Sequence, residues 1–146
     1  MFRAAFALAA LTLFCALGSA GQTKERPKKG PVIETDAPIL SGDIADEKLA
    51  KEKPENGVIV SQKGWEKLVK AWGIKNAPKI DFDKELLIVE TSAGSGIGLT
   101  IKLDNKGDLK VNGIFTLDLK PGFRYVIHSA SKKGVKTVNG KELPKE

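Results

Sequence analysis

Apolar positions fall into three regimes along the 146 residues. Residues 4–17 form one nearly unbroken apolar run, residues 21–56 hold few large apolar side chains among prolines and charges, and from Gly57 onward helical and strand periods take turns. In the third regime Trp65, Leu68, Val69 and Trp72 recur at i, i+3, i+4 and i+7, which is one face of a helix. Ser61 stands where an N-cap belongs and Gly73 where a C-terminal stop belongs, so the spacing predicts a helix over 62–72 behind the short β-branched run Val58-Ile59-Val60. At this spacing the two tryptophans read as packing residues and not as a sugar-stacking platform.

From Leu86 the period changes. Leu86 to Val89 is continuously apolar, as expected of a central strand covered on both faces. Leu99, Ile101 and Leu103 alternate with polar neighbours, and so do Leu109, Val111, Gly113, Phe115 and Leu117. The turn residues Asp104-Asn105-Lys106-Gly107 between these runs predict a hairpin. A further strand follows Pro121-Gly122 over 123–129, Lys133-Gly134 turns into Val135 to Val138, and Asn139-Gly140 makes another tight turn. The expected fold is α+β: one amphipathic helix covering an antiparallel meander of about five strands, within a single domain over 57–146. Residues 21–56, with Pro27, Pro31, Pro38 and Pro54, read as a flexible, partly docked N-terminal segment. Ile39, Leu40 and Ile44 are its docking residues, and a short helix over 43–53, begun by Ser41 or Asp43, closes before Pro54.

The first regime reads as a leader. Arg3 precedes the apolar run, which breaks at Gly18-Ser19-Ala20, so the pattern predicts a secretory signal peptide over 1–20 cleaved between Ala20 and Gly21. The run is shorter than the roughly 20 residues that span a bilayer, which argues for cleavage and against a lasting membrane anchor. Phe14, a large residue, precedes Cys15, so a lipidation site is not expected. Cleavage removes Cys15, the only cysteine, and with it disulfides, thiolate metal sites and cysteine nucleophiles. The expected location is secreted or periplasmic.

Lysine and arginine outnumber the acidic residues 24 to 18, a net charge of +6. The excess lies in residues 57–146, whereas 21–56 is near neutral. No basic stretch is interleaved with aromatic residues, so nucleic-acid binding is not expected, and the surplus reads as a solvated surface with weak attraction for anionic envelope polymers.

Candidate chemistry is thin. Gly94-Ser95-Gly96-Ile97-Gly98 follows a buried strand, but a dinucleotide loop needs a third glycine where Leu99 stands and a helix where a strand is expected. Ser95 also lacks the spacing of a nucleophile elbow. His128 is the only histidine, on a strand face shared with Val126 and Arg124, so no multi-histidine metal site is available. With Ser92 or Ser129 and an aspartate it supplies the residue types of a hydrolytic triad. Glu90 interrupts an apolar strand, and Asp81 and Asp83 flank Phe82 as turn residues or, less simply, as a calcium pair. No catalytic residue, metal ligand or cofactor is assigned from the sequence.

The run Ile80-Asp81-Phe82-Asp83-Lys84-Glu85 before an apolar strand, the tryptophan-bearing helix and the glycine-rich turn carry a resemblance over residues 57–103. There the chain resembles small exported bacterial proteins and, distantly, the C-terminal domain of PrcB-type protease-complex subunits. The segment from Pro121-Gly122-Phe123-Arg124-Tyr125 to Val138-Asn139-Gly140 resembles the former group alone. The resemblance implies a non-catalytic role beside an exported protease and supplies no site residue. The expected function is a non-enzymatic binding or protein-interaction module with another exported protein as partner. The alternatives are a small hydrolase using His128 and a binder of anionic envelope polymer.

Overall fold

A computed structural model of the chain describes residues 37–145. The leader, its cleavage point at Ala20-Gly21 and the basic stretch over 24–29 lie outside the described residues. In chain order the elements are β1 (Leu40–Ile44), a 3₁₀ helix (Glu47–Glu52), β2 (Val58–Ile59), α1 (Gln62–Trp72), β3 (Glu85–Ser92), β4 (Ile97–Leu103), β5 (Asp108–Phe115), β6 (Phe123–Ser131), β7 (Thr137–Val138) and β8 (Lys141–Glu142).

The helix forms as its sequence predicts. Ser61 Oγ accepts from the Gly64 N–H at 3.2 Å, and Gly73 ends the helix in the left-handed region at φ 62°. Trp65, Leu68 and Trp72 are buried. Each indole is anchored by its N–H, Trp65 to Pro78 O at 3.2 Å and Trp72 to Leu49 O at 2.8 Å. The Trp72 ring meets Phe123 edge-on, with centroids 5.4 Å apart, and Tyr125 at 5.1 Å.

The strands do not form the single five-stranded meander expected of them. They form two four-stranded sheets, ordered β1-β6-β3-β2 and β4-β5-β7-β8, and β7 runs parallel to β5. The first sheet therefore needs cover on both faces. Period-2 alternation divides the apolar run of β3 accordingly. Leu87 and Val89 join Trp65, Leu68, Trp72, Phe123, Tyr125 and Ile127 under the helix. Leu86 and Ile88 join Val58, Ala130, Ile101, Leu109 and Val138 between the sheets. The result has three layers, helix on sheet on sheet.

A second correction concerns residues 40–53. The helix expected over 43–53 is displaced, because Leu40–Ile44 pairs antiparallel with β6 and leaves only Glu47–Glu52 as a 3₁₀ helix, capped by Asp46. Burial of Leu40 and Ile44 on alternate positions beneath the 3₁₀ helix outweighs the local helical pattern.

The parallel β5–β7 pairing is made by main-chain bonds from Lys136 and Thr137 to Gly107 O and from Asn139 to Leu109 O, and one side chain reinforces it across the two strands. The Asp108 carboxylate accepts from Thr137 Oγ1 at 2.7 Å and from the Gly140 N–H at 2.9 Å, and pairs with Lys110. The Lys110 hydrogen bond, then those from Gly140 and Thr137, outweigh desolvation and hold this carboxyl at a pKa of about 2, below its ordinary 3.8. A lowered carboxyl pKa stabilises the fold above the ordinary value, and that stabilisation is lost as the pH falls through the folded value. Asp108→Asn is therefore expected to be less stable than the parent at pH 7 in urea denaturation. The gap should close as the pH drops from 3.8 toward 2, and a gap of constant size across that window would contradict the assignment.

Candidate functional site

The sequence candidates for chemistry are spread across the fold. His128 is buried on β6, opposite Ile88 of β3, on the face that looks toward the second sheet. Ser92 pairs with Arg124, four residues away along the same strand, which is about 13 Å at the rise of a strand. The Ser92 hydroxyl accepts from the Gly94 N–H at 2.9 Å. Ser129, next to His128 in the chain, points to the opposite face. Neither serine is brought to the imidazole.

Glu90 is a tie between elements. Its Oε2 lies 2.6 Å from Lys53 Nζ, both side chains about a quarter exposed, which joins β3 to the segment after the 3₁₀ helix. Asp81 closes a turn, with Oδ1 accepting from the Asp83 N–H at 3.2 Å and Oδ2 from Lys84 Nζ at 2.6 Å. The Lys84 hydrogen bond is the main reason its carboxyl titrates below the ordinary range. Among the described residues no three His, Cys, Asp or Glu side chains stand together as a metal-binding group. Both tryptophans lie in the core and offer no stacking face. The Lys132 ammonium donates to Val60 O at 2.7 Å and to Phe82 O, locking the turn after β6 to the ends of two segments.

The glycine-rich segment is a loop between two strands, as a glycine-rich hairpin loop would be, and it also seats another part of the chain. Between β3 and β4, residues 93–96 form a loop on which the segment 116–120 is laid. Thr116 donates its N–H to Gly96 O at 3.2 Å, and Lys120 donates its N–H to Ala93 O at 3.0 Å. Thr116 Oγ1 accepts from the Gly96 N–H at 2.9 Å, and Asp118 Oδ1 accepts from the Ser95 N–H at 3.0 Å. Hydrogen bonds from the Ser95 and Thr116 hydroxyls, followed by the Ser95 N–H, hold the Asp118 carboxyl far below the ordinary carboxylate range, against desolvation. The clamp on the loop is therefore anionic.

Because Thr116 and Asp118 turn inward onto glycine, the leucines between them turn outward. Leu117 is 94% exposed and Leu119 is 83% exposed. Ile114 at 74% and Phe115 at 42% are exposed at the adjoining end of β5, on its two opposite faces. The alternation is inverted relative to a surface strand, with polar side chains against the protein and apolar ones toward water. Sequence alternation had placed Phe115 and Leu117 in phase with Leu109 and Val111, which do face inward. The phase is kept as far as Phe115, but β3 ends at Ser92 and the hairpin overhangs it, so only a glycine loop lies beneath. The presence of Gly94, Gly96 and Gly98 opposite these positions was the available signal, since glycines cannot cover leucines.

A cleft of about 340 Å³ lies on the other side of the same loop, lined by Pro38, Asp43, Ser95, Ile97, Arg124 and Tyr125. Its guanidinium is engaged: Arg124 Nε is 2.8 Å from Asp43 Oδ1, and Arg124 also donates to the Lys120 and Pro121 carbonyls.

No family model matches the chain, and no curated protein or solved structure matches it significantly. Among the described residues no helix is long and apolar enough to cross a membrane.

The close approach at Gly94 makes the arm's seating testable. A Cβ added there sits 2.1 Å from Thr116 O, a backbone atom that cannot swing aside. Gly94→Ala should cost about 1–3 kcal/mol in chemical denaturation and speed amide exchange at Gly96 and Lys120. Unchanged stability and exchange would show that the arm is not seated on the loop.

Proposed function

We propose that the chain is an exported, non-enzymatic interaction module, and that Ile114, Phe115, Leu117 and Leu119 form its contact surface. The observation that carries this reading is the inverted alternation of the arm. Seating Thr116 and Asp118 on the loop leaves two leucines in water, and a partner that covers them recovers about 1.5–3 kcal/mol for each. Contiguous apolar surface of a few hundred Å² on a soluble domain marks an interaction site. The clustering of the exposed large apolar side chains on one arm also favours a protein partner over an anionic polymer, which recognises charge and has no use for leucine. An exported protease assembly is the class of partner that the resemblance to PrcB-type subunits implies.

A photoreactive residue at Ile114 in the exporting cell should give one discrete protein adduct, while the same group at Lys63, exposed on α1, should give none. Adding Leu117→Ser and Leu119→Ser should weaken binding by about a hundredfold or more, the equivalent of roughly 3 kcal/mol, and remove the adduct. Both leucines are solvent-exposed, so the fold is expected to survive, which circular dichroism checks. An adduct undiminished in the double variant, or none at position 114, refutes the proposal.

A further inference from the structure

Resting on that reading, we infer that the outer edge of β5 at Gly113 and Phe115 receives an extended segment of a partner polypeptide as an added strand, with apolar residues interleaved with acidic ones. The hydrogen-bonding phase of the β4–β5 hairpin fixes which backbone groups face outward. Asp104 donates its N–H to Asp108 O and Thr116 donates its N–H to Gly96 O, so the even-numbered residues of β5 pair with β4. The odd-numbered residues face the other way. Leu109 O accepts from the Asn139 N–H at 3.0 Å, and the Val111 N–H and O bond to Asn139 Oδ1 and Nδ2 at 2.9 and 3.2 Å.

Asn139 is thus the last group of β7 along this edge, since β7 pairs with β5 only at Asp108 and Leu109. Beyond it the N–H and C=O groups of Gly113 and Phe115 face outward with no strand beside them among the described residues. An open edge specifies an extended chain as its occupant, because main-chain groups at strand spacing are what it can pair with. The β4 edge of the same sheet carries no comparable row of exposed large apolar side chains; Ile114, Phe115, Leu117 and Leu119 all belong to β5 and the arm.

Charge decides between occupants. Lys102 and Lys110 face each other on the outer side of the hairpin, Lys120 ends the arm, and the exposed Lys141 lies on β8, whereas Lys136 sits beside Gly107 at the other end of β5. Asp108 pairs with Lys110, Asp118 reaches Lys120 at 4.0 Å as well as the Ser95 loop, and Glu142 is the remaining acid of β7 and β8, so Lys102 and Lys141 carry the positive charge on this side without an ion pair among the described residues. A second copy would bring the same positive surface, in a chain of net charge +6, and like charges brought together oppose that association. An acidic, alternately apolar segment meets both the edge and the lysines.

The probe is a synthetic peptide of alternating valine and glutamate, added to the mature, isotopically labelled protein while amide exchange is followed. Exchange at Gly113 and Phe115 should slow by about tenfold or more. A peptide N-methylated on alternate amides should produce no slowing, and one with lysine for glutamate should bind about tenfold more weakly. No slowing with the valine–glutamate peptide, or equal slowing with the N-methylated one, overturns the inference. Slowing that grows with protein concentration alone, together with a dimer mass, makes a second copy the occupant and overturns it. Protection already present in the free monomer and abolished by Val32→Asp with Ile33→Asp makes the chain's own preceding segment the occupant and also overturns it. An Ile114 adduct that persists while the peptide tests fail removes strand addition and leaves the interaction module standing; loss of both removes both.

Discussion

The whole arrangement depends on β3 being covered on both faces. Four consecutive apolar residues, Leu86 to Val89, are essentially inaccessible to water, and pleating sends two of them to each side. One helix can cover only one of those faces. The second sheet exists because Leu86 and Ile88 must be buried as well, and the return of the chain from β5 to β6 sets which strands lie over them. Two small cores share the first sheet as their common wall, with β3 at its centre and β2 and β6 also sending residues to both sides, so neither the helix nor the second sheet has a complete apolar partner surface without β3.

The overhang of the hairpin follows from unequal strand lengths. β4 and β5 pair through Ile97 and Phe115, while β3 has already ended at Ser92, so the far end of the second sheet projects past the strand it covers. The chain then has to return to β6 across a loop that is mostly glycine. A loop with no side chains lets the backbone at Thr116 approach within a distance that no other residue at Gly94 would tolerate, and the hydrogen bonds made there take up the polar side chains of the arm. The leucines are exposed as a geometric consequence of seating Thr116 and Asp118.

Local periods carried much of this fold openly. Helix α1 with its Ser61 cap and Gly73 stop, the double-sided β3 and the β4–β5 hairpin were all legible, because each rests on contacts within a few residues or on a plain apolar count. What stayed hidden depends on distant partners. β1 needed the register of β6 to outcompete a helical pattern, and the parallel β5–β7 contact is made to residues far along the chain, where Asp108 also collects a hydroxyl and an N–H. The site was hidden for a related reason: alternation tells which side chains share a face but not where the covering sheet stops. Phe115 and Leu117 look like a continuation of Leu109 and Val111 until the length of β3 is known.

Rigidity is what separates this arm from an ordinary greasy loop. Five hydrogen bonds join residues 116–120 to residues 93–96: two between main-chain groups, two from main-chain amides into the Thr116 hydroxyl and the Asp118 carboxylate, and one between the Ser95 and Thr116 hydroxyls. Asp118, held ionised by the donors around it, makes the stronger kind of bond. An apolar segment fixed in extended form has already lost the conformational freedom that a mobile one must give up on binding. Its neighbour β5 is held straight up to Phe115 by β4 on one side and is released from β7 on the other at Asn139, where a side chain imitates the next step of a strand and then ends. The open edge and the exposed leucines thus begin at the same place in the fold, where the covering strand runs out on one face and the pairing strand runs out on the other.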